Sequence, residues 1–260
     1  MKRAITRLES ESPGDAAAKT IAEATYRRLR DDLTGWRYAP GVKLPFKELA
    51  EAYRVGVSPL REALSRLASE RLVLASGQRG FRVPPVSADE MWEIIKLRQL
   101  LEREALVDSI AHGDAAWESE IVAAFHRLTR QPAGASAPGD SLSDWDRRHR
   151  DFHGALLGAC SSQWLLHFIG ILYHQSERYR RLRFQRADKS ALPRDVDREH
   201  REIMDATLAR KPRLAGELLV RHLARTGEAA AAALTDPFPV PTPAKRPLNG
   251  SKTRVTRAKR

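Results

Sequence analysis

The chain has 260 residues, a formal net charge of +12 and a single cysteine, Cys160. The positive charge, with a pI near 10.2, favours a polyanionic partner, because each Lys or Arg placed against a phosphate releases a counterion. One cysteine excludes a disulfide framework within the chain and fits a reducing compartment. No apolar run approaches the roughly 20 residues that span a bilayer, and the first residues lack a signal-peptide core. We therefore expect a soluble cytoplasmic protein that does not use a membrane.

The N-terminal part predicts an arm followed by a helix. Residues 1–16 are a polar mixture that can bury little surface, so we expect a mobile arm. From Ala17 to Trp36 one apolar stripe recurs at helical spacing, and Gly35 with Pro40-Gly41 beyond it ends the pattern. This is the first helix of a predicted DNA-binding domain over residues 17–83.

Two further helices follow in a helix-turn-helix arrangement. The first covers 44–53, and the connection 54–57 carries a glycine. The second runs over 58–70, with Ser58 suited to the N-cap and Pro59 to the first helical position. Its apolar stripe faces a small core, while its outer face is polar and basic, as contact with phosphates and base edges requires. That face carries Ser58, Arg61, Ser65, Arg66 and Ser69.

A wing completes the predicted DNA-binding domain. Residues 72–75 and 81–83 are typical of short strands, and the tip between them carries two glycines and an arginine. We expect Arg79 and Gly80, at this tip, to contact DNA. Three helical pieces of an ordinary helical domain are the alternative. Residues 84–86 form a proline-stiffened linker.

The C-terminal part predicts an all-α bundle over 87–234, so the fold class is mainly α, with a winged helix-turn-helix before about six helices. Ser87 resembles a helix N-cap, with Glu90 three residues later. The loop at 131–139 is rich in Pro, Ala, Ser and Gly. The expected helices cover 87–112, 114–130, 142–159, 163–185, 193–210 and 212–233.

The tail, residues 235–260, is proline-broken and basic, and it carries half of the net positive charge. We expect it to be disordered. It is either a solubilising extension or a non-specific grip on nearby DNA.

Four histidines are candidates for a metal site. His149 and His153 stand at i and i+4, which places both imidazoles on one helix face. His200 and His222 lie in apolar surroundings on the last two helices, so both could point into the bundle. On the residues alone, four ordinary core or surface histidines without a metal remain the simpler interpretation.

Several motifs resemble those of GntR-family bacterial transcription regulators. In the DNA-binding part they are Leu44-Pro45, Glu48-Leu49-Ala50 and 57–64, together with Leu67, Glu70 and the glycine-containing wing. Val57 and Gly56 depart from the usual residues, which leaves the operator sequence open. The bundle resembles the FCD ligand-sensing domain of the FadR-type branch through 97–102, 152–157, 199–203 and 221–223. Stretches 145–153 and 172–180 look closest to members that regulate glutarate and aminobutyrate catabolism, usually called CsiR-like.

The resemblance implies a metal site and its donors. Members that bind metal place one ligand four residues before the Phe-His histidine and take one from each later helix, so the ligands are His149, His153, His200 and His222. The first ligand is usually an aspartate. Four nitrogens suit zinc or nickel better than an oxygen-loving ion. Asp146 is then a neighbour of the ligands or an alternative ligand.

The resemblance also implies a function without catalysis. We expect a homodimeric repressor that reads a palindromic double-stranded DNA operator and is released by a small carboxylate, such as the dicarboxylate glutarate. The family implies contact roles for Lys47, Ser58 and Arg61; those of Ser65, Arg66 and Arg79 are our own assignments. Arg98 is the candidate effector-binding residue, and its alternative is a surface arginine paired with Glu102.

Two other classes of protein compete with a regulator. A helical metalloenzyme with an accessory nucleic-acid module would need a base near the metal, and no His-Glu-x-x-His or nucleophile motif is present. A non-specific architectural protein would explain the basic tail but not the winged domain.

Overall fold

The computed structural model describes residues 13–76, 80–130, 142–186 and 194–234. The predicted arm up to residue 12, Arg79, the loop 131–141 and the tail from 235 lie outside these ranges. The prediction of a mainly α protein, with a winged helix-turn-helix before a helical bundle, is confirmed. The elements are α1 Pro13–Thr34, β1 Lys43–Leu44, α2 Phe46–Tyr53, α3 Val57–Ser69, β2 Leu74–Ala75, β3 Phe81–Arg82, α4 Ala88–His112, α5 Ala115–Thr129, α6 Leu142–Leu156, α7 Gln163–Arg186, α8 Val196–Leu208 and α9 Pro212–Leu234.

The wing is a three-stranded antiparallel sheet in the order β1-β3-β2. Leu44 pairs with Phe81, and Leu74 pairs with Arg82. Strand β1 is absent from the sequence interpretation, which made Leu44 helical; two residues are too few to show an alternating pattern. At the tip Gly80 has φ +90°, a conformation that favours glycine.

All three helix starts predicted in this unit need correction. Helix α2 begins at Phe46 rather than Leu44. Helix α1 begins at Pro13 rather than Ala17, and Pro is well suited to a first helical position. Helix α3 begins at Val57, with the extended Gly56 as N-cap and no side-chain capping bond. Pro59 then stands in the third position, where it is tolerated because the first-turn N–H groups have no helical partner anyway.

Helices α1 and α3 pack around one apolar core. Leu29, Leu60 and Leu64 are fully buried in it. The hydroxyl of Tyr26 donates to both carboxylate oxygens of Glu70, at 2.9 and 2.8 Å, which ties the middle of α1 to the end of α3. The outer face of α3 is therefore presented by a rigid pair of helices.

The bundle comprises the six predicted helices, α4 to α9. Ser87 is the N-cap of α4 and accepts from the amide of Glu90 at 3.0 Å, as predicted. Asp114 caps α5 in the same way through the amide of Trp117. The main core joins α4, α5, α6, α8 and α9 around Leu106, Ile121, Phe152 and Leu219.

Helix α7 connects the bundle to the N-terminal unit. The backbone carbonyl of Arg178 accepts from the Trp36 indole at 2.7 Å, and the Gln175 amide donates to the Glu70 carbonyl. The Arg178 side chain also reaches the carbonyls of Pro84 and Pro85 at 3.2 and 3.4 Å. The end of α1, the end of α3 and the linker all meet this helix.

Within the described residues, no helix is both long and apolar enough to cross a membrane.

Candidate metal centre and DNA-binding surface

The four predicted histidines come together in the centre of the bundle. His149 and His153 lie on α6, His200 on α8 and His222 on α9. One ligand atom from each lies within 4.8 Å of the others. All four side chains are buried, with 5%, 4%, 0% and 3% of their surface exposed. The four histidines expected as ligands thus converge from three helices.

Several imidazole nitrogens of this cluster have no hydrogen-bond partner. They are Nε2 of His153 and both ring nitrogens of His200, and all three are buried. An unsatisfied buried polar atom costs about 1–3 kcal/mol, so such atoms need an explanation. Coordination of a metal ion would satisfy Nε2 of His153 and one of the two nitrogens of His200, because an imidazole binds an ion through one nitrogen. The donor set therefore fits the metal that the family resemblance implies.

His222 is oriented by a carboxylate that was not predicted to take part. Its Nδ1 lies 2.8 Å from Oε2 of Glu199, which makes Nε2 the nitrogen available to a metal. Arg194 holds the same carboxylate through Nε and Nη2, at 2.9 and 2.5 Å, and Arg225 adds a contact at 3.0 Å. A carboxylate on the outer imidazole nitrogen is a recurrent feature of metal-binding histidines.

His149 has a different environment. Its Nδ1 lies 3.0 Å from the Tyr173 hydroxyl and 2.5 Å from Nη1 of Arg180. The carboxylate of Asp146 accepts from Arg180 Nη2 at 2.7 Å and from Arg181 Nε at 2.6 Å. Asp146 is outside the group of four converging ligand atoms, so its oxygens serve the two arginines.

The histidines are held neutral by their surroundings. Burial lowers the pKa of His149, His153 and His200 well below its usual value, and neighbouring groups, including Arg180 beside His149, lower it further. The pKa of His222 falls to about 4, chiefly through burial and against the effect of its hydrogen bond with Glu199. Burial would raise the pKa of Glu199, but hydrogen bonds from His222 and Arg194 outweigh it and hold this pKa low. Neutral imidazoles are the form that binds a metal.

A cavity of about 170 Å³ opens beside the cluster. Its lining combines apolar side chains with a few polar and charged groups: Glu102, Arg150, His153, Gly154, Leu157, Leu166, Ile169, Gly170, Tyr173 and His174. Such a lining is typical of small-molecule sites.

Arg98 is buried next to this cavity. It donates to Glu102 at 2.6 Å and to the Ser176 hydroxyl at 2.7 Å, while its Nη2 is buried without a partner. The alternative expectation for Arg98 was a surface arginine paired with Glu102. The pairing is present, but the Arg98 side chain faces the interior and is only 3% exposed.

The predicted DNA-contacting residues that the structure describes lie on the surface. Lys47 on α2 and Ser58, Arg61 and Ser65 on α3 are exposed. Arg66 is exposed too, but it pairs with Glu23 at 2.6 Å and Glu70 at 3.5 Å and stacks 3.8 Å from the Tyr26 ring centroid. Arg61 makes no ion pair within the described part of the chain. Arg79 lies outside it.

Tyr173, Arg180 and Glu199 are the site residues that the sequence analysis missed. Glu199 carries a local signal, because it directly precedes a predicted ligand on the same helix. Tyr173 and Arg180 lie in the stretch 172–180 that resembles CsiR-like members, but nothing in that stretch assigns them to the site, since α7 meets α6 only through the tertiary fold.

A winged helix-turn-helix joined to an all-α domain is the architecture of a DNA-binding transcription regulator. Comparisons with family models agree: residues 21–83 match the bacterial regulatory proteins of the gntR family, and residues 93–225 match the FCD domain. The chain belongs to the GntR family, in the branch with an FCD domain. It is a transcription regulator and not an enzyme, so the metalloenzyme interpretation is set aside.

Individual relatives are also regulators. The uncharacterized HTH-type transcriptional regulator BphR of Paraburkholderia xenovorans (strain LB400) is 41% identical over 209 residues, 80% of this chain and 84% of the relative. The HTH-type transcriptional repressor GlaR of Escherichia coli (strain K12) is 36% identical over 199 residues, 76% of this chain and 90% of that one. The structure of E. coli McbR/YncC has a TM-score of 0.69 at 20% identity, covering 82% of this chain and 97% of that one, which bears on the fold alone.

Proposed function

We propose that the protein is a metal-containing repressor that leaves its operator when a small carboxylate binds in the bundle. The observation that carries this proposal is the converging cluster of four buried histidines beside a cavity, in the same chain as an exposed basic helix. The relative GlaR is named a repressor, which supports the sign of regulation. A DNA-binding regulator of this bacterial family would act in the cytoplasm.

The charge of the site supports an anionic effector. A zinc or nickel ion held by four neutral imidazoles keeps its full charge and provides a Lewis-acidic position for an oxygen ligand. Among the buried groups, Arg98 is paired with Glu102 and Arg180 with Asp146, so the charge of the ion itself is what favours an anion. The unpartnered Nη2 of Arg98 is available to neutralise a carboxylate oxygen. A dicarboxylate such as glutarate would place its second acid group among the other polar residues of the cavity, where Arg150 provides a cation.

Operator recognition is assigned to α3 and the wing. Arg61 is the proposed reader of base edges, Ser58, Ser65 and Lys47 are the proposed phosphate contacts, and Arg79 and Gly80 are the proposed contacts from the wing. Arg66 would first have to leave Glu23 and Glu70, so its main role is in joining α3 to α1. Arg66 nevertheless remains a candidate phosphate contact, since exposed ion pairs are weak.

A palindromic operator implies a homodimer, because one short helix covers only a few base pairs. Four large apolar side chains on α4 and α7 are exposed and fit such a role. Leu100 is 66% exposed and Trp164 is 72% exposed, with Leu97 and Phe168 close to half. Sedimentation of Leu100→Glu and Trp164→Glu should show monomers where the parent shows dimers.

Binding to the DNA that flanks its own gene tests the function. The expected result is a footprint over one palindrome, with an affinity that falls when glutarate or another small dicarboxylate is added to metal-loaded protein. Equal affinity for the flanking DNA and for random DNA would instead indicate an architectural protein.

Elemental analysis tests the metal site directly. Protein purified without a polyhistidine tag should contain one zinc or nickel ion per chain, and stripping the metal should lower both thermal stability and effector affinity. The double variant His153→Ala with His222→Ala should be metal-free, whereas His167→Ala, at an exposed histidine, should retain the ion. A parent that stays metal-free after incubation with zinc, nickel or manganese would leave the four histidines as core residues.

A further inference from the structure

Arg180 touches both the histidine cluster and a carboxylate that leads away from it. Its Nη1 donates to Nδ1 of His149 at 2.5 Å, and its Nη2 donates to Oδ1 of Asp146 at 2.7 Å. Both side chains and Arg180 itself are buried. A change in the bonding of His149 therefore reaches Asp146 through one guanidinium.

The path continues into the DNA-binding unit. The second oxygen of Asp146 accepts from Nε of Arg181 at 2.6 Å. Nη1 of Arg181 donates to the Thr34 hydroxyl at 2.9 Å and to the Asp31 carbonyl at 3.3 Å. Those two acceptors form the last turn of α1, so continuous hydrogen bonds join His149 to the helix that holds α3.

The first bond of this path is incompatible with metal coordination by His149. A guanidinium only donates, so Nδ1 accepts from Arg180 only while the neutral imidazole carries its proton on Nε2. If Nε2 becomes the metal ligand, the proton must be on Nδ1; if Nδ1 becomes the ligand, its lone pair is already used. The ring stays neutral in the first case, because one proton leaves Nε2 and one binds Nδ1. That Nδ1–H can then donate to the Tyr173 hydroxyl, which lies 3.0 Å away.

We propose that Arg180 is a positioning residue that couples occupation of the histidine cluster to the last turn of α1, an inference that rests on the proposed metal site. When His149 becomes a ligand, Arg180 loses a buried acceptor. The carboxylates near Arg180 are Asp146, which Arg180 and Arg181 both contact already, and Glu177, which pairs with Arg181 at 2.6 Å. Arg180 then competes with Arg181 for them, and the hold of Arg181 on Thr34 weakens.

Backbone amides at the end of α1 report this change. The amide of Gly35 donates to the Asp31 carbonyl at 2.8 Å, which is the carbonyl that Arg181 also contacts. The amide of Arg37 donates to the Asp32 carbonyl at 3.0 Å. Loosening of this turn should speed hydrogen exchange at both amides by roughly fivefold, the factor expected for the loss of one hydrogen bond.

Hydrogen exchange of the full chain, with and without one equivalent of zinc or nickel, tests the coupling. In the parent, zinc or nickel should speed exchange at Gly35 and Arg37. The variants Arg181→Gln and the isosteric Thr34→Val should bind the same ion with the parent's stoichiometry. Hydrogen exchange at Gly35 and Arg37 should then change less than twofold, because the hydrogen bonds between Arg181 and α1 are lost while the histidine cluster is intact. Arg213→Gln is the matched control and should respond to the ion as the parent does, since Arg213 lies on the exposed surface of α9 beside Glu217.

The outcomes separate this inference from the metal site itself. If the parent binds no zinc or nickel, the proposed metal site fails and the coupling fails with it. If it binds the ion and exchange at Gly35 and Arg37 does not change, only the coupling is overturned. Nitrogen NMR of His149 gives an independent measurement: the proton should be on Nε2 without metal, and a proton on Nδ1 in the metal-free protein would refute the switch.

Discussion

Two arginines on the same helix show how a neighbour decides the role of a residue. Arg61 and Arg66 are both exposed on α3, and composition alone does not distinguish them. Arg66 lies against the Tyr26 ring between Glu23 and Glu70, so a substitution there disturbs the packing of α1 on α3. Arg61 is without an ion pair among the described residues, so its charge is available to DNA.

Replacing Arg61 with alanine should therefore weaken specific operator binding by about 1–3 kcal/mol, the cost of one good base contact. Dimerisation and helicity should not change, because this side chain is outside the core. Gel-shift titration at fixed salt measures the effect. Arg213→Ala removes the same charge from an exposed site on α9 and should leave affinity within about twofold; an equal loss in both variants would show that only net charge matters.

The buried histidines also predict how stability depends on pH. His222 has a pKa of about 4 in the folded protein against roughly 6.5 when unfolded, so between these values the unfolded chain binds more protons. The contribution of His222 to the unfolding free energy is fully present above its pKa in the unfolded chain and is lost as the pH falls toward 4. Metal-stripped protein should lose about 2 kcal/mol of unfolding free energy between pH 7 and pH 5 from His222 alone.

Urea denaturation of metal-stripped protein at several pH values measures how the unfolding free energy depends on pH. His149, His153 and His200 should add to it, because the pKa of each is also lowered. The variant His222→Gln should show a shallower dependence over the same range. A parent whose stability is flat from pH 7 to pH 5 would mean that the folded cluster already carries protons.

At the scale of elements, local capping signals in the sequence identified two helix starts, whereas the helix expected from Pro193 begins at Val196, after the N-cap Asp195. Ser87 and Asp114 were both interpreted as helix starts, and both are N-caps in the structure. Val57 escaped notice because Gly56 caps α3 without a side chain. The histidine cluster was predictable from the spacing of His149 and His153 together with the family motif, whereas Arg180 lies 34 positions from Asp146 and no local pattern joins them.

The connection between α4 and α5 depends on the absence of a side chain at Gly113. A Cβ there would lie 2.0 Å from Cε3 of Trp117, which is too close for any real contact. Trp117 is fixed by its indole N–H, which donates to the Ala155 carbonyl at 2.8 Å. Gly113→Ala should thus cost about 1–3 kcal/mol of unfolding free energy through overpacking.

Gly170→Ala is the matched control for that substitution. Gly170 lies inside α7, and a Cβ there would have nothing within 4 Å. Alanine at a helix interior is better than glycine by about 0.5–1 kcal/mol, so this variant should be slightly more stable than the parent. Thermal unfolding of both variants tests this difference. Equal destabilisation of the two would contradict the proposed close contact between position 113 and Trp117.

At the scale of the whole molecule, α7 contacts both the histidine cluster of the bundle and the N-terminal unit. Its side chains Tyr173 and Arg180 contact the histidine cluster, and Gln175 and Arg178 bind the N-terminal unit and the linker. A flexible linker alone would let the two units move independently. These contacts instead give occupation of the bundle a direct physical route to the position of α3.

We expect the basic tail to contribute to the DNA affinity of the whole molecule, although it lies outside the described residues. Seven basic residues against one acidic residue over 236–260 can attract phosphates but carry no arrangement that would read bases. Deleting Asp236–Arg260 should weaken binding to operator and random DNA by similar factors. The slope of log affinity against log salt should fall by about 0.9 for each phosphate contact that is lost.

A full-length variant with the seven tail residues Lys245, Arg246, Lys252, Arg254, Arg257, Lys259 and Arg260 changed to glutamine separates charge from chain length. It should match the deletion in both affinity and salt dependence, because only the charges reach the DNA. The ratio of operator to random affinity should stay near that of the parent in both proteins, since α3 and the wing are unchanged. If either protein loses that discrimination in parallel titrations at fixed salt, the tail contributes to sequence recognition and its proposed role is wrong.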